Sequence, residues 1–428
     1  MTHFGLLCPP VTSHLKAMTA LGWELKQRGH SVTLFAMAVA QPFALIAGLN
    51  FWEIGTEEIG QESLKNSLAK LGELTGIAAA IFTINLRLWE VKLILTEAPA
   101  AIKAAGIDVL LIDQFTAAGS TVAELLQIPF ITVCNALPMN QERGIPPSFT
   151  PWDDVASATL REQSAWWAHL RNDLGYFLFN YFWQPIKRAL NDYRQQWHLP
   201  LYTHPDDANS KILQLSQSLA EFEFSWQHLP PYFHFTGLYQ APINYDPGVS
   251  FPWERLTGQP LVYCSMGTLQ NRFLSVFELV AAACEKLDVQ LVISLGGGGT
   301  PESLPKLPGS PLVFGYVPQG ELLKKTAMTV THGGLNTTLE SLNEGVPLLA
   351  IPITNDQPGV GARLVRSGAG EMISLSQLRV SPLKNVMQKV LTESQYINNA
   401  VRLQKAIHDA GGSSRAADLI LQAIRPPR

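Results

Sequence analysis

Continuous apolar strands separated by helical segments, in a series that occurs twice, constrain this 428-residue chain more than any other feature. The first series reads HFGLLC at 3–8, SVTLFA at 31–36, VLLID at 109–113 and FITVC at 130–134, with helical periodicity from about Ser13 to Arg28 and near 117–126. A strand without a polar side needs cover on both faces, a condition met by a parallel sheet with crossover helices above and below it. Beyond Gly258 the rhythm returns in PLVYCSM at 260–266, QLVISL at 290–295, PLVFGY at 311–316, AMTVTH at 327–332 and PLLAIP at 347–352. Two doubly wound α/β domains are therefore expected. The stretch GLYQAPINYDPGVSFPW at 237–253 has the proline and turn residues of a linker and no helical period. It divides the chain into a first domain over 1–240, a linker over 241–256 and a second domain over 257–428.

Charged residues make up 15% of the chain, under the roughly 25% of typical soluble proteins, while apolar types reach 46%. No apolar run attains the roughly 18 to 20 residues that span a bilayer, so no transmembrane segment is expected. Lysine and arginine (31) against aspartate and glutamate (35) give a net charge of −4 without a dense basic block, and nucleic acid is not an expected partner. The amino terminus enters a strand without a basic leader or cleavage site. Cys8, Cys134, Cys264 and Cys284 are far apart, three of them in or beside strand candidates, so a cytoplasmic protein with buried thiols is expected. One segment, 151–200, belongs to neither series: it carries five of the ten tryptophans and the run LGYFLFNYFW at 174–183. A helix apolar nearly all round either packs under a domain interface or lies against a hydrophobic ligand or membrane surface, and both readings stay open at this point.

Ligands of open parallel sheets bind beyond the carboxyl ends of the strands, so the residues just past each strand are the ones to weigh. After the first strand comes PPVTSH, which places His14 in the first turn of a helix capped by Thr12 or Ser13. The positive end of a helix disfavours an imidazolium, which suits a general base. Asp113, ending VLLID in the same sheet, is placed to hydrogen-bond the other ring nitrogen and to support the imidazolium formed on proton uptake. In YCSMGT the small residues Ser265 and Gly267 let backbone N–H groups approach a phosphate, and Thr268 adds a hydroxyl donor. LGGGGTPESLP at 295–305 lacks the lysine of a phosphate loop and the spacing of a dinucleotide fingerprint, and reads as a flexible turn.

The richest stretch runs from Gly315 to Glu371. There His332, Gly333 and Gly334 end a strand and open a helix, so an imidazole, free N–H groups and the positive helix end converge on an anion such as a diphosphate, joined by Asn336 and Thr337. Glu340 lies one turn beyond Asn336 on the same face, where a carboxylate can accept two hydrogen bonds from a ribose diol. Tyr316 and the Val317 backbone follow another strand and suit a base; Asp356 and Gln357, after PLLAIP, suit sugar hydroxyls.

Taken together, this stretch resembles the nucleotide-sugar signature of the UDP-glycosyltransferase superfamily: an aromatic-x-Pro-Gln element from Tyr316 to Gln319, Thr-His-Gly-Gly-x-Asn-Thr from Thr331 to Thr337, Glu340, Gly-Val-Pro from Gly345, and Pro-x-x-x-Asp-Gln ending at Gln357. The likeness is dense over 315–371, places His14 and Asp113 where that family has its catalytic dyad, and is faint across 55–100 and 140–250. It implies the GT-B fold, two Rossmann-like doubly wound domains facing across a cleft, with carboxyl-terminal helices packing back on the first domain. Gly267, Thr268, Tyr316, Val317, Gln319, His332, Gly334, Asn336, Thr337, Glu340, Asp356 and Gln357 would then hold a UDP-sugar, UDP-glucose by expectation, with no metal or separate cofactor. The opening residues, GIPPSFTPW at 144–152 and DQPGVGARL at 356–364 are most similar to bacterial zeaxanthin glucosyltransferases and macrolide-type enzymes. Inverting transfer to a hydroxyl of a hydrophobic acceptor such as a carotenoid follows, with peripheral membrane contact through 151–200. A macrolide, sterol or phenolic acceptor, or a non-catalytic pigment- or lipid-binding role on the same fold, is the alternative. Two departures stand out: Tyr316 replaces the tryptophan of many relatives, and Leu335 replaces a tryptophan of the plant branch, removing a sugar contact.

Overall fold

The computed structural model describes residues 1–55, 66–67, 69–149, 166–243, 245, 248–269 and 271–425. The first sheet contains β1 (His3–Leu7), β2 (Ser31–Ala36), β3 (Asn50–Glu53), β4 (Val109–Asp113), β5 (Phe130–Cys134), β6 (Gln214–Ser216) and β7 (Phe233–Phe235), in the spatial order β3-β2-β1-β4-β5-β6-β7. Its helices are α1 (Thr12–Gln27), α2 (Gln41–Ile46), α3 (Gly76–Ala105), α4 (Ala118–Leu126) and α5 (Trp166–Gln196). The second sheet, ordered β10-β9-β8-β11-β12-β13, contains β8 (Leu261–Ser265), β9 (Gln290–Ser294), β10 (Leu312–Phe314), β11 (Thr326–Thr331), β12 (Leu348–Ala350) and β13 (Gly370–Met372). With it go α6 (Leu274–Cys284), α7 (Gln319–Leu323), α8 (Leu335–Asn343), α9 (Gln357–Ser367), α10 (Val380–Thr392), α11 (Ser394–Ala410) and α12 (Gly412–Ala423). Every strand pairing is parallel, so the two doubly wound α/β domains read from the apolar runs are present.

Strand order sets where ligands can go. In each sheet the winding reverses next to the first strand, between β1 and β4 and between β8 and β11, and the helices that follow those strands diverge to opposite faces, opening a crevice at the carboxyl end. The strands missed by sequence are β3, β6, β7 and β13, each of three or four residues, too short to show a period. They lie toward the sheet margins, while the long runs at β1, β4, β8 and β11 form the centre.

Both faces of the first sheet are packed. Phe4, Leu6 and Leu34 meet Met18 and Leu21 of α1 on one side, while Leu110 and Ile112 meet Ile94, Ala98 and Ile102 of α3 on the other. Helix α12 lies against α1 and puts Ala416, Ala417 and Ile420 into the core of the first domain, and Arg28 bonds Asp418 at 3.1 Å. A second tie between the domains is an ion pair inside the protein, Arg363 Nε to Glu223 Oε2 at 2.6 Å, with neither side chain more than 1% exposed. Ser218 also donates to Glu223, and the Phe224 ring lies 4.7 Å from the Arg363 guanidinium. Removing either partner would leave an uncompensated buried charge, which is strongly destabilising. All four cysteines are free and buried.

Two local readings need correction. Neither Thr12 nor Ser13 caps α1: Val11 holds that position in extended conformation, its N–H bonded to Pro9 O, and both hydroxyl residues fall inside the first turn. The glycine run is also no loose turn. A Cβ at Gly296 would lie 2.0 Å from Gly267 O, at Gly297 2.1 Å from Tyr316 Oη and at Gly298 2.2 Å from Asn271, so the glycines are there for close packing. Within the aromatic segment 151–200, residues 151–165 lie outside the described residues, as does the end of GIPPSFTPW.

Candidate active site

His14 stands in the first turn of α1, above the carboxyl end of β1, and Asp113 is the last residue of β4, so the crevice of the first sheet brings together two residues 99 apart. His14 Nδ1 and Asp113 Oδ2 are 2.7 Å apart, with the imidazole 13% exposed and the carboxylate fully buried. Asp113 Oδ2 also accepts from Asn135 Nδ2 at 2.7 Å, and Oδ1 accepts from Phe115 N at 2.8 Å. The Phe115 ring meets the imidazole edge-on at 5.6 Å. An Nδ1–H donated to a fixed carboxylate leaves Nε2 with its lone pair free to take a proton.

The second crevice is built from backbone. His332, 9% exposed, lies between two glycines: a Cβ on Gly267 (φ +70°) would come within 2.5 Å of its ring, and one on Gly334 within 2.6 Å. Burial lowers the His332 pKa to about 4, against a smaller upward pull from Ser265, so the ring is neutral at pH 7 and offers one N–H rather than a charge. Gly334 caps α8, and Thr337 lies in that helix's first turn. Thr268 is exposed, Val317 is buried and Tyr316, 48% exposed, rests on the glycine turn at Gly297.

Around this crevice the polar side chains are held in place. Gln319 accepts from Tyr263 Oη at 2.7 Å and donates to Glu340. Burial pushes the Glu340 carboxyl above its usual value, with Gln319 and Lys16 of the first domain pulling it back. Asp356, the N-cap residue of α9, is likewise pushed up by burial and pulled down by the Leu137 amide and His14. Gln357 Oε1 accepts from Ile353 N and Thr354 N, so its oxygen shapes the loop. Asn336 reaches across the domains: its Oδ1 accepts from Gln217 Nε2 at 2.8 Å and its Nδ2 donates to Ser13 O at 3.0 Å.

Asn135 and Gln217 were missed from sequence, although each directly follows a strand, β5 and β6, and the carboxyl-end rule applies to them as well. A cavity reaches Asp113 from the side of α5, lined by Ile112, Ala117, Met139, Trp183, Leu190 and Tyr202, with Lys187, His204 and Asp206 supplying polarity.

A family model described as UDP-glucoronosyl and UDP-glucosyl transferase matches residues 5–412. The chain belongs to that family. As a member it is an enzyme that transfers a sugar. It is 30% identical to a zeaxanthin glucosyltransferase of Pseudescherichia vulneris, covering 99% of this chain and 98% of that protein, and 29% identical to one of Pantoea ananas, covering 99% and 96%. Among solved structures, the glycotransferase of kitacinnamycin superposes with a TM-score of 0.78 at 20% identity over 99% of both chains. The glycosyltransferase VinC in complex with dTDP gives 0.69 at 18% over the full length of both. These structural likenesses establish for the transferase the GT-B arrangement of its two sheets. No helix among the described residues is long and apolar enough to cross a membrane.

Proposed function

We propose that the enzyme transfers glucose from UDP-glucose to a hydroxyl of a hydrophobic acceptor, a carotenoid such as zeaxanthin, with inversion at the anomeric carbon and without a metal. The observation that carries this reading is the His14 to Asp113 hydrogen bond of 2.7 Å, at the crevice of one sheet and facing the crevice of the other. An alcohol is a poor nucleophile near pH 7. His14 Nε2 takes its proton as the oxygen attacks the anomeric carbon, the C–O bond to UDP breaks on the opposite face, and Asp113 stabilises the imidazolium. Charge on the departing diphosphate meets the N–H groups of the Gly334 cap and Gly267, the neutral His332 and the hydroxyls of Thr268 and Thr337, with the second Nδ2 hydrogen of Asn336 alongside. Tyr316 and Val317 take the uracil, Glu340 the ribose, with Gln319 orienting it, and Asp356 and Gln357 the sugar.

An apolar acceptor is favoured by an exposed stripe on α5, where Trp166, Leu170, Leu174, Phe177, Leu178 and Tyr181 recur at helical spacing and Trp166 is 77% exposed. Such a stripe suits contact with the membrane surface from which a carotenoid would be drawn. The kinship with zeaxanthin glucosyltransferases points the same way. Mass spectrometry of products from hydroxylated carotenoids, sterols, macrolides and phenols with UDP-glucose tests the reading. Glucosides of the carotenoids are expected, together with retention on liposomes; turnover confined to water-soluble phenols, with no liposome binding, would reject the acceptor.

A further inference from the structure

Building on the dyad reading above, we infer that Asn135 is a positioning residue for the transfer, holding Asp113 in the orientation that presents it to His14. Its Nδ2 donates at 2.7 Å to Asp113 Oδ2, the same oxygen that bonds His14 Nδ1. With Phe115 N on Oδ1, the carboxylate is gripped from three directions in a place without water contact. The peptide carrying Asn135 is itself fixed, because Gln217 Nε2 donates to Asn135 O at 2.5 Å and, with its other hydrogen, to Asn336 Oδ1 at 2.8 Å. Asn336 Nδ2 then bonds the carbonyl of Ser13, the residue before His14. A circuit that leaves the imidazole through Asp113 thus returns to the backbone next to it, and its single member from the second domain opens the helix of the donor crevice.

The group does not look built for stability. Asn135 is 3% exposed and Gln217 fully buried, yet Asn135 Oδ1 and Gln217 Oε1 have no hydrogen-bond partner among the described residues. A buried amide oxygen left unpaired is destabilising, and an apolar side chain of the same shape would avoid it. What the apolar residue would lack is the N–H on Asp113. A carboxylate relieved of one donor turns more easily and holds a proton more firmly on its imidazole partner, so the base is available only at higher pH.

Asn135→Leu, close in shape and without a donor, provides the test, read as kcat, KM for UDP-glucose and the pH profile of kcat, with UDP binding by calorimetry as the check of folding. The expected result is a kcat lower by about ten-fold or more, a KM within two-fold of the parent and an acidic limb moved to higher pH. Should the leucine chain fail to bind UDP, Asn135→Ser, whose hydroxyl is too short to reach Asp113, is expected to show the same loss and the same displaced limb. A UDP-binding variant with parental kcat, or with a lower kcat and an unmoved limb, would overturn the inference. Full activity in His14→Ala would instead overturn the dyad on which it rests, whereas an inactive His14→Ala beside an unaffected Asn135 variant would overturn this step alone.

Discussion

The two crevices of the molecule are made of different material. In the first domain, position is set by side chains: His14, Asp113 and Asn135 form a series of side-chain hydrogen bonds, and the Gln217 amide holds the peptide that carries Asn135. In the second, position is set by backbone: Gly267 and Gly334 leave room for the His332 ring, and the glycine turn at 296–298 leaves room for Tyr316 and Asn271. The difference matches the two tasks proposed for them. Moving a proton at one atom needs a base of defined geometry, while holding a diphosphate needs many N–H groups that share charge without being ionised themselves. A change in the first crevice should therefore reach the chemical step alone, and a change in the second should reach binding first.

The sharpest break is His14→Ala. Loss of the general base is expected to lower kcat by about 10² to 10⁴, with UDP affinity by calorimetry within a few-fold of the parent. Activity retained in full would remove the dyad from the mechanism. A large fall in UDP affinity would mean instead that the crevices are not separable in this way.

Gly267→Ala probes the other side. The position has φ +70°, and the added Cβ would come within 2.5 Å of the His332 ring. A left-handed conformation at a non-glycine residue is destabilising by about 1 to 3 kcal/mol, and the imidazole must move as well. UDP affinity is expected to drop by roughly ten-fold or more, with the acceptor-dependent step altered less than binding. Unchanged affinity in a folded variant would show that the glycine is not needed for the His332 position.

The same contrast explains what could be read from the sequence. Most of the second crevice is encoded in one stretch, with Tyr316, His332, Asn336, Glu340 and Asp356 at fixed spacings at and just beyond the ends of β10, β11 and β12, while Gly267 and the glycine turn at 296–298 come from earlier strand ends. The first crevice draws His14, Asp113, Asn135 and Gln217 from four strand ends far apart in the chain, and nothing local marks Asn135 or Gln217 as partners of a carboxylate. Central strands were legible since both of their faces are apolar; the short marginal ones at β3, β6, β7 and β13 were not. Asn336 shows the limit of motif reading most plainly. Its spacing fits a diphosphate, but its amide joins Gln217 to Ser13, a relation that exists only once the domains are docked.

The smallest effect is expected at Glu340, where both kinds of construction meet. Its carboxyl is held by Gln319 and faces Lys16 of the first domain, and burial raises its pKa above the ordinary glutamate value. A ribose diol donates to the ionised form, so UDP affinity should decline as pH falls through that raised value, at a higher pH than an exposed glutamate would give. Glu340→Ala should weaken UDP binding by about ten-fold, or about 1.4 kcal/mol, and Glu340→Gln should flatten the acid-side decline, leaving kcat at saturating donor close to parental. Calorimetric titrations of UDP from pH 5 to pH 8 read both outcomes. An unchanged affinity in Glu340→Ala would take the ribose from this residue, and a decline that persists in Glu340→Gln would place the titrating group elsewhere in the crevice, with Asp356, also raised by burial, the next to test.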